Sequence, residues 1–204
     1  RDWNVVATAR GSGTALDALA SGSAGRLTVE HVDINKPDEV GALHARLTGT
    51  AFDLLFVNAG VKNDDRETIA DVTTDEFIRV MVTNALSPMR VVEAFGDLVT
   101  DAGTLAVMSS GQGSVANNEK GGFEVYRGSK AALNTIMRSY AARNRRSRRT
   151  LLLLAPGYVR TDMGGPDATF GVDETMPQLV ATVEAQRGKG GLQYLDRFGA
   201  PIPW

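Results

Sequence analysis

The chain has 204 residues, of which 22 are basic and 24 are acidic, so its formal net charge is −2. This balance gives no reason to expect nucleic acid as a partner, and no apolar run approaches the roughly 20 residues that span a bilayer. The sequence contains no cysteine and only two histidines. That composition excludes disulfides and thiolate zinc sites, and it makes a histidine-rich metal site or a Ser-His-Asp triad a poor hypothesis.

Short apolar segments alternate with amphipathic segments along the chain. Most of the apolar segments are continuous, which is typical of parallel strands buried on both faces. The predicted strands are Asn4–Ala9, Leu27–Val32, Asp53–Asn58, Gly103–Ser109, Thr150–Ala155 and Leu192–Leu195. The predicted helices are Thr14–Ser21, Pro37–Leu47, Thr74–Val99, Val125–Arg143 and Asp173–Ala185, with a kink or break in the third at Pro88. The alternation predicts a doubly wound parallel sheet in a three-layer α/β/α fold, as one domain over residues 1–204.

Polar and small residues follow the predicted strands, where the ligand crevice of an open parallel sheet lies. Ser109 and Ser110 follow one strand, and either hydroxyl could bond a substrate oxygen there. The carboxylate of Asp33, after the second strand, could accept an adenine amino hydrogen. Small residues at Asn58-Ala59-Gly60, after the third strand, would let a flat ligand approach the backbone. The segment Pro156–Met163, after the fifth strand, could wrap a ligand with exposed backbone groups.

Tyr126 and Lys130 are four residues apart in a predicted helix and therefore share one face. A lysine ammonium beside a phenol is expected to favour the phenolate and so to lower the pKa of the tyrosine. A tyrosine tuned in this way can exchange a proton with an alcohol or carbonyl oxygen near neutral pH. Taken alone, this spacing occurs by chance in many proteins, and the alternative is a packed tyrosine beside a solvated lysine.

Several motifs appear together in chain order. They are Val-Asp-Ile at 32–34, Asn-Ala-Gly at 58–60, a helix asparagine at 84, Ser-Ser-x-x-Gly at 109–113, Tyr-x-x-Ser-Lys at 126–130 and Pro-Gly-x-Val-x-Thr-Asp-Met at 156–163. This order resembles the short-chain dehydrogenase/reductase family over essentially the whole chain. The block Ser109–Asn134 and the ending Pro201–Trp204 look most like the C-factor-like subgroup of that family.

The resemblance implies a reductase of ketones or aldehydes, or the reverse alcohol dehydrogenase, that works by hydride transfer from a nicotinamide cofactor. Tyr126 would be the general acid/base, and Lys130 would lower its pKa and hold the nicotinamide ribose. Ser110, rather than Ser109, matches the serine of the family, and Asn84 would support a water-mediated proton path to Lys130. The cofactor-binding residues would be Arg10, Asp33, Ile34, Asn58, Ala59, Gly60, Tyr126, Lys130, Pro156, Gly157, Val159 and Thr161.

The start of the chain departs from the family pattern. Members of the family normally begin with a strand, a Thr-Gly-x-x-x-Gly-x-Gly turn and a helix, which bind the dinucleotide pyrophosphate. The segment Val5–Ala9 aligns with the second strand of the family, so the first βα unit is expected to be absent from residues 1–204. A polypeptide limited to these residues is expected to bind NADPH weakly and to aggregate through unpaired strand edges.

Two explanations of this departure stay open. In the first, the working protein would carry the glycine-rich unit ahead of Arg1, and we favour this explanation because loss of a central strand would expose apolar faces that are hard to cover. Alternatively, the protein lacks the unit and is a binding or signalling protein without oxidoreductase activity. Translating the gene upstream of Arg1 and looking for Gly-x-x-x-Gly-x-Gly distinguishes the two.

Arg10 follows the first predicted strand, at a point where members of the family that prefer NAD often carry an acid. An arginine there can pair with a 2′-phosphate, so NADP is the expected cofactor and NAD the alternative. The basic run Arg143–Arg149 is interpreted as a solvated helix end. Asp64, Asp65 and Glu67 lack the spacing of metal ligands, so no metal is expected. The family habit of pairing helices across subunits implies a homodimer or homotetramer, which we expect in the bacterial cytoplasm.

Overall fold

The computed structural model describes residues 2–13 and 15–204. It divides into two compact units, the first reaching to Thr50 and the second running from Ala51 to Trp204. Thr14, the predicted first residue of the first helix, lies outside the described residues, as does Arg1. No helix in the described part of the chain is long and apolar enough to cross a membrane.

The first unit contains two strands and two helices in alternation. Its elements are β1 (Val5–Ala9), α1 (Ala15–Ser21), β2 (Leu27–His31) and α2 (Pro37–Leu47). The two strands pair in parallel. Pro37 begins α2 at no cost in hydrogen bonds, because the first N–H groups of a helix have no acceptor within it. These elements match the predicted ones to within one residue at each end.

The second unit contains four parallel strands with helices in the connections. The strands are β3 (Phe52–Val57), β4 (Val99–Met108), β5 (Thr150–Ala155) and β6 (Gly191–Asp196), and they lie side by side in that order. Every residue of β5 is buried, which requires cover on both faces of the sheet. On one face Leu152 and Leu154 pack against Leu179 and Val183 of the last helix. The predicted α/β class with a parallel sheet is therefore confirmed.

The helices of the second unit are α3 (Thr74–Met81), α4 (Ser87–Phe95), α5 (Glu124–Arg143) and α6 (Val172–Gln186). A π-helical turn, Val82–Leu86, joins α3 to α4. The N–H of Ser87, the next residue, donates to the Val82 carbonyl. Pro88 has no N–H, and its ring would clash with the carbonyl of Asn84 in a regular helix, so the backbone widens just ahead of it. The predicted irregularity is confirmed, but it lies one turn before Pro88.

The predicted end of this helix at Val99 is wrong. The helix stops at Phe95, residues Gly96–Leu98 form a single 3₁₀ turn, and Val99 is the first residue of β4. Val99 pairs with Phe52 at the start of β3. The helix ends before Gly96 because glycine is a poor helix former. Val99 then pairs with the distant strand β3, a contact that the local pattern of apolar residues does not reveal.

Candidate active site

Three loops leave the carboxyl ends of neighbouring strands in the second unit. Asn58 to Gly60 follow β3, Ser109 and Ser110 follow β4, and Pro156 and Gly157 follow β5. Because β3, β4 and β5 are adjacent and parallel, the loops meet at one edge of the sheet. The structure thus brings these predicted site residues together, and α5 adds Tyr126 and Lys130 to them.

Tyr126 lies in the first turn of α5 and is half-buried. Its phenol lies beside the side chain of Ser110, the residue that precedes the short turn Gly111–Gly113. The Ser110 hydroxyl oxygen accepts from the N–H of Gln112 at 3.2 Å, which leaves its O–H free to donate. Burial raises the pKa of Tyr126, and the Ser110 side chain acts in the opposite direction. The phenol is therefore protonated near neutral pH.

Lys130 is almost fully buried, with 3% of its surface exposed. Its Nζ donates to the Met108 carbonyl at 2.9 Å and lies 5.9 Å from the ring centroid of Tyr126. Burial lowers the pKa of Lys130 to about 8. The predicted lowering of the Tyr126 pKa is wrong for the protein alone, because burial of the phenol raises its pKa and outweighs the opposite effect of Ser110.

Asn84 is fully buried in the π-helical turn and ties the loop after β3 to α5. Its Nδ2 donates to the Val61 carbonyl at 2.7 Å and to Ser129 Oγ at 2.9 Å, while its Oδ1 accepts from Val61 N–H at 2.8 Å. Ser129 Oγ in turn donates to the Tyr126 carbonyl at 2.7 Å. The asparagine therefore holds the backbone of Val61 through both its N–H and its carbonyl.

Gly60 keeps the space beside Lys130 free of side chains. A β-carbon at this position would lie 3.3 Å from Asn84 Oδ1 and 3.4 Å from Lys130 Nζ. Among the described residues Lys130 Nζ has one hydrogen-bond acceptor, although an ammonium carries three N–H donors. Hydroxyl oxygens of a ligand could accept the remaining hydrogens. The residues present therefore fit the ribose that is joined to a nicotinamide.

Ser109 has a different environment from Ser110. It is buried, and its Oγ donates to Asn134 Oδ1 at 2.6 Å, while Asn134 Nδ2 donates to the Gly113 carbonyl at 3.2 Å. These bonds make Ser109 a structural residue that fixes the turn behind Ser110. This supporting role of Asn134 was not predicted from the sequence. The spacing could have indicated it, because Asn134 lies four residues after Lys130, on the same helix face as Tyr126.

Tyr194 on β6 was missed as well. Its buried hydroxyl donates to the Ser110 carbonyl. Burial raises the pKa of Tyr194, so the phenol remains a donor near neutral pH. The contact ties the main chain of Ser110 to strand β6. A tyrosine in a short final strand gave no signal of this role, because its partner is distant in the sequence.

The loop after β5 contains Val159 and Thr161, both predicted to contact the cofactor. Val159 is buried and bridges to Phe170, and the Thr161 hydroxyl accepts from Gly164 N–H at 3.1 Å. A β-carbon on Gly164 would come within 2.0 Å of the Val159 carbonyl oxygen, so this tight turn requires glycine. The loop is folded on itself rather than extended.

Arg10, Asp33 and Ile34 belong to the first unit. Arg10 follows β1 and is exposed, while Asp33 and Ile34 follow β2 and are half-buried. One carboxylate oxygen of Asp33 accepts from Asn35 N–H at 3.0 Å, and Asp33 N–H donates to Glu39 at 2.8 Å. Glu39 thus anchors the turn after β2, a role the sequence did not reveal. The nucleotide contacts of Arg10, Asp33 and Ile34 stay predictions.

No group of three or more histidine, aspartate or glutamate side chains among the described residues is placed to hold a metal ion. Asp64, one of the acids set aside in the sequence, forms an ion pair with Arg66 instead.

Comparisons with known proteins agree with this site. A sequence model of the family described as enoyl-(acyl carrier protein) reductase matches residues 1–187. C-signal of Myxococcus xanthus is 34% identical over 154 residues, which cover 74% of this chain and 92% of that protein.

Solved structures are similar over almost the whole chain. A Burkholderia multivorans protein described as a short-chain dehydrogenase/reductase, with bound NADP, is 52% identical with a TM-score of 0.97, over 99% of this chain and 89% of that one. A carbonyl reductase of Pseudomonas aeruginosa PAO1 in complex with NADP is 34% identical with a TM-score of 0.90, over 98% and 88%.

An α/β fold with a tyrosine and a lysine beside a serine at the sheet edge defines a class of nucleotide-dependent oxidoreductases. The chain belongs to the short-chain dehydrogenase/reductase family, and it is an enzyme of that class. The family membership predicted from the motifs is confirmed.

Proposed function

We propose that the protein uses NADPH to reduce the carbonyl group of a ketone or aldehyde, or catalyses the reverse oxidation of an alcohol. The observation that carries this proposal is the placement of the Tyr126 phenol beside the Ser110 side chain, with the buried ammonium of Lys130 5.9 Å from the centroid of the tyrosine ring. Similarity to an NADP-bound dehydrogenase/reductase and to an NADP-bound carbonyl reductase supports both the cofactor and the substrate class.

Tyr126 and Ser110 would act on the substrate oxygen. Burial keeps the Tyr126 phenol protonated, so it can give its proton to that oxygen as the carbonyl is reduced. Ser110 would donate its free O–H to the same oxygen and stabilise the charge that develops there. The bound nicotinamide would supply the hydride to the carbonyl carbon.

Lys130 would hold the nicotinamide ribose through its free N–H groups and favour the phenolate that Tyr126 leaves behind. Because its pKa is about 8, the ammonium can also release a proton near neutral pH. Asn84 would support the proton path to Lys130 through the Val61 carbonyl that it holds. The remaining contacts to the cofactor are proposed for Arg10, Asp33, Ile34, Asn58, Ala59, Gly60, Pro156, Gly157, Val159 and Thr161.

The proposal is tested with the full-length protein and a panel of aliphatic and aromatic aldehydes and ketones. We expect NADPH to be consumed and an equal amount of alcohol to form with at least one member of the panel. Binding of NADPH without reduction of any carbonyl in the panel would contradict the proposed reaction. The reverse reaction, with the alcohols and NADP, provides a second measurement.

Arg10→Asp is expected to weaken binding of NADPH more than binding of NADH, because it replaces a partner of the 2′-phosphate by a repelling charge. Calorimetric titration of wild-type and variant protein with both nucleotides measures the difference. Arg145→Asp, an exposed arginine beyond α5, makes the same charge change as a control. Equal loss of affinity for both nucleotides would show that Arg10 does not contact the 2′-phosphate.

Alanine at Ser109 and at Ser110 is expected to have opposite effects. Ser110→Ala should lower turnover by about 10²-fold, as loss of one donor to a developing oxyanion does, with little change in stability. Ser109→Ala leaves Asn134 Oδ1 buried without its donor, which should cost about 1–3 kcal/mol of unfolding free energy while turnover is retained. Kinetics and denaturant titration of both variants check this, and loss of turnover in Ser109→Ala alone would reverse the assignment.

We also propose that the enzyme is a homodimer or homotetramer in the bacterial cytoplasm. Apolar side chains on the helices expected to pair across subunits support an oligomer, since Phe77 and Ile78 on α3 are 40% and 50% exposed and Ile136 on α5 is 39% exposed. These residues lie outside the proposed site.

A further inference from the structure

Arg197, in the turn after β6, is enclosed by two aromatic rings. The carbon of its guanidinium lies 3.7 Å from the ring centroid of Phe170 and 4.4 Å from that of Phe198. Its Nε donates to Gln178 Oε1 on α6 at 2.8 Å, and its Nη1 donates to the Pro156 carbonyl at 3.3 Å. One side chain therefore joins the loop after β5, helix α6 and the turn after β6.

The guanidinium also packs directly on the backbone of Gly157. A β-carbon there would lie 2.5 Å from Arg197 Nη1, closer than any side chain allows. Gly157 has a φ of +90°, in the left-handed region that favours glycine. The missing side chain of this glycine leaves room for Arg197, and its backbone conformation is one that other residues rarely adopt.

Phe170 lies near the other end of the same loop, residues 156–171, which we name the β5–α6 loop. Phe170 N–H donates to the Tyr158 carbonyl at 3.0 Å, and Arg160 N–H donates to the Phe170 carbonyl at 2.8 Å. Arg197 thus contacts the loop where it leaves β5 and where it returns towards α6. Val159 and Thr161, proposed to contact the nicotinamide, lie between these two points.

We propose that Arg197 is a positioning residue that clamps both ends of the β5–α6 loop and so holds Val159 and Thr161 ready for the nicotinamide end of the cofactor. This inference rests on the proposed function, since the role of the loop in cofactor binding is part of it. A lysine cannot replace Arg197, because the contacts need a planar group that stacks between two rings while donating at its edge.

The first test needs no nucleotide. Trypsin cleaves after arginine, and Arg160 lies within the loop with its Nη1 bonded to the carbonyls of Ala168 and Thr169. Arg197→Ala is expected to speed cleavage between Arg160 and Thr161 by roughly tenfold, since release of the clamp lets the loop open locally. The control is Arg138→Ala, which removes an arginine stacked 4.6 Å from the Trp204 ring centroid, outside this loop. Unchanged cleavage in Arg197→Ala would overturn the clamp.

The second test measures NADPH affinity of the full-length protein by calorimetry. Arg197→Ala and Arg197→Lys are both expected to weaken NADPH binding roughly tenfold, because the loop is no longer preorganised. Low millimolar guanidinium chloride, but not sodium chloride, should restore the affinity of Arg197→Ala by refilling the space between the rings. If Arg197→Ala is only destabilised, its affinity should stay low in guanidinium, because millimolar concentrations barely change stability, and that result would overturn the proposal.

The outcomes separate this inference from the proposed function. Wild-type protein that binds NADPH and reduces carbonyls, together with an Arg197→Ala variant of unchanged affinity, would overturn the role of Arg197 alone. Wild-type protein that does not bind NADPH would overturn the proposed function and the link from Arg197 to the cofactor. The trypsin comparison would still decide whether Arg197 clamps the loop.

Discussion

Tyr126→Phe is expected to lower turnover by roughly 10²–10⁴-fold, the range typical for loss of a general acid/base. The substitution removes the proton that the phenol would give to the substrate oxygen, together with the hydroxyl that lies beside Ser110. It keeps the half-buried ring, so the fold and the packing of Lys130 should be retained. The rate of NADPH consumption measures turnover, and circular dichroism checks the fold.

Tyr140→Phe is a matched control for this variant. Tyr140 lies on the same helix and is buried, and its ring faces Arg143 rather than the strand-end loops. Turnover of this variant should stay close to that of the wild type. The assignment of Tyr126 would fail if folded Tyr126→Phe protein reduced carbonyls at a near-normal rate, and the proton would then have to come from another group.

The parallel sheet could be predicted because its strands are continuous apolar runs, as in Leu151–Leu154. Such runs need cover on both faces, and only helices in the connections provide it for parallel strands. The boundary at Val99 could not be predicted in the same way. Val91, Val92, Phe95, Leu98 and Val99 repeat with helical spacing, and only the ladder with Phe52 takes Val99 into β4.

The site was predictable where its residues are close in sequence. Tyr126 and Lys130 share a helix face, and Ser110 was distinguished from Ser109 by its motif. Side chains that support the site from distant elements were not predictable, and Tyr194 and Arg197 are examples, since each acts through a contact with a loop that follows another strand.

The direction in which the pKa of Tyr126 shifts could also not be predicted from the sequence. The spacing places Lys130 near the ring, but it does not report how deeply the phenol is buried or that the ammonium donates to Met108. Because both groups lose solvent, the pKa of Tyr126 rises while the pKa of Lys130 falls. In the protein alone, therefore, each group is driven towards its neutral form.

Lys130→Met is expected to lower turnover by roughly 10²-fold or more, because the site would lose the charge proposed to favour the phenolate and the donors proposed to hold the ribose. The same variant should be more stable than the wild type at neutral pH. The folded pKa of Lys130 is about 8, against 10.5 ordinarily. Burying this charge therefore costs the wild type on the order of 3 kcal/mol of unfolding free energy. The variant avoids that cost but leaves the Met108 carbonyl without its hydrogen bond, which costs about 1 kcal/mol.

The stability gain depends on pH. Below pH 8 the lysine is charged in both the folded and the unfolded chain, so the full cost of burial is present and Lys130→Met should melt about 4–8 °C higher. Between pH 8 and 10.5 the folded wild type gives up the proton while the unfolded chain keeps it, so the wild type gains stability and the difference shrinks. Melting curves of both proteins between pH 7 and 10.5 measure this difference.

Lys189→Met replaces an exposed lysine beyond α6 and should change neither turnover nor melting temperature. The opposite result would be a Lys130→Met variant that melts below the wild type at pH 7, with a difference in melting temperature that does not change towards pH 10. It would mean that the Lys130 ammonium stabilises the fold.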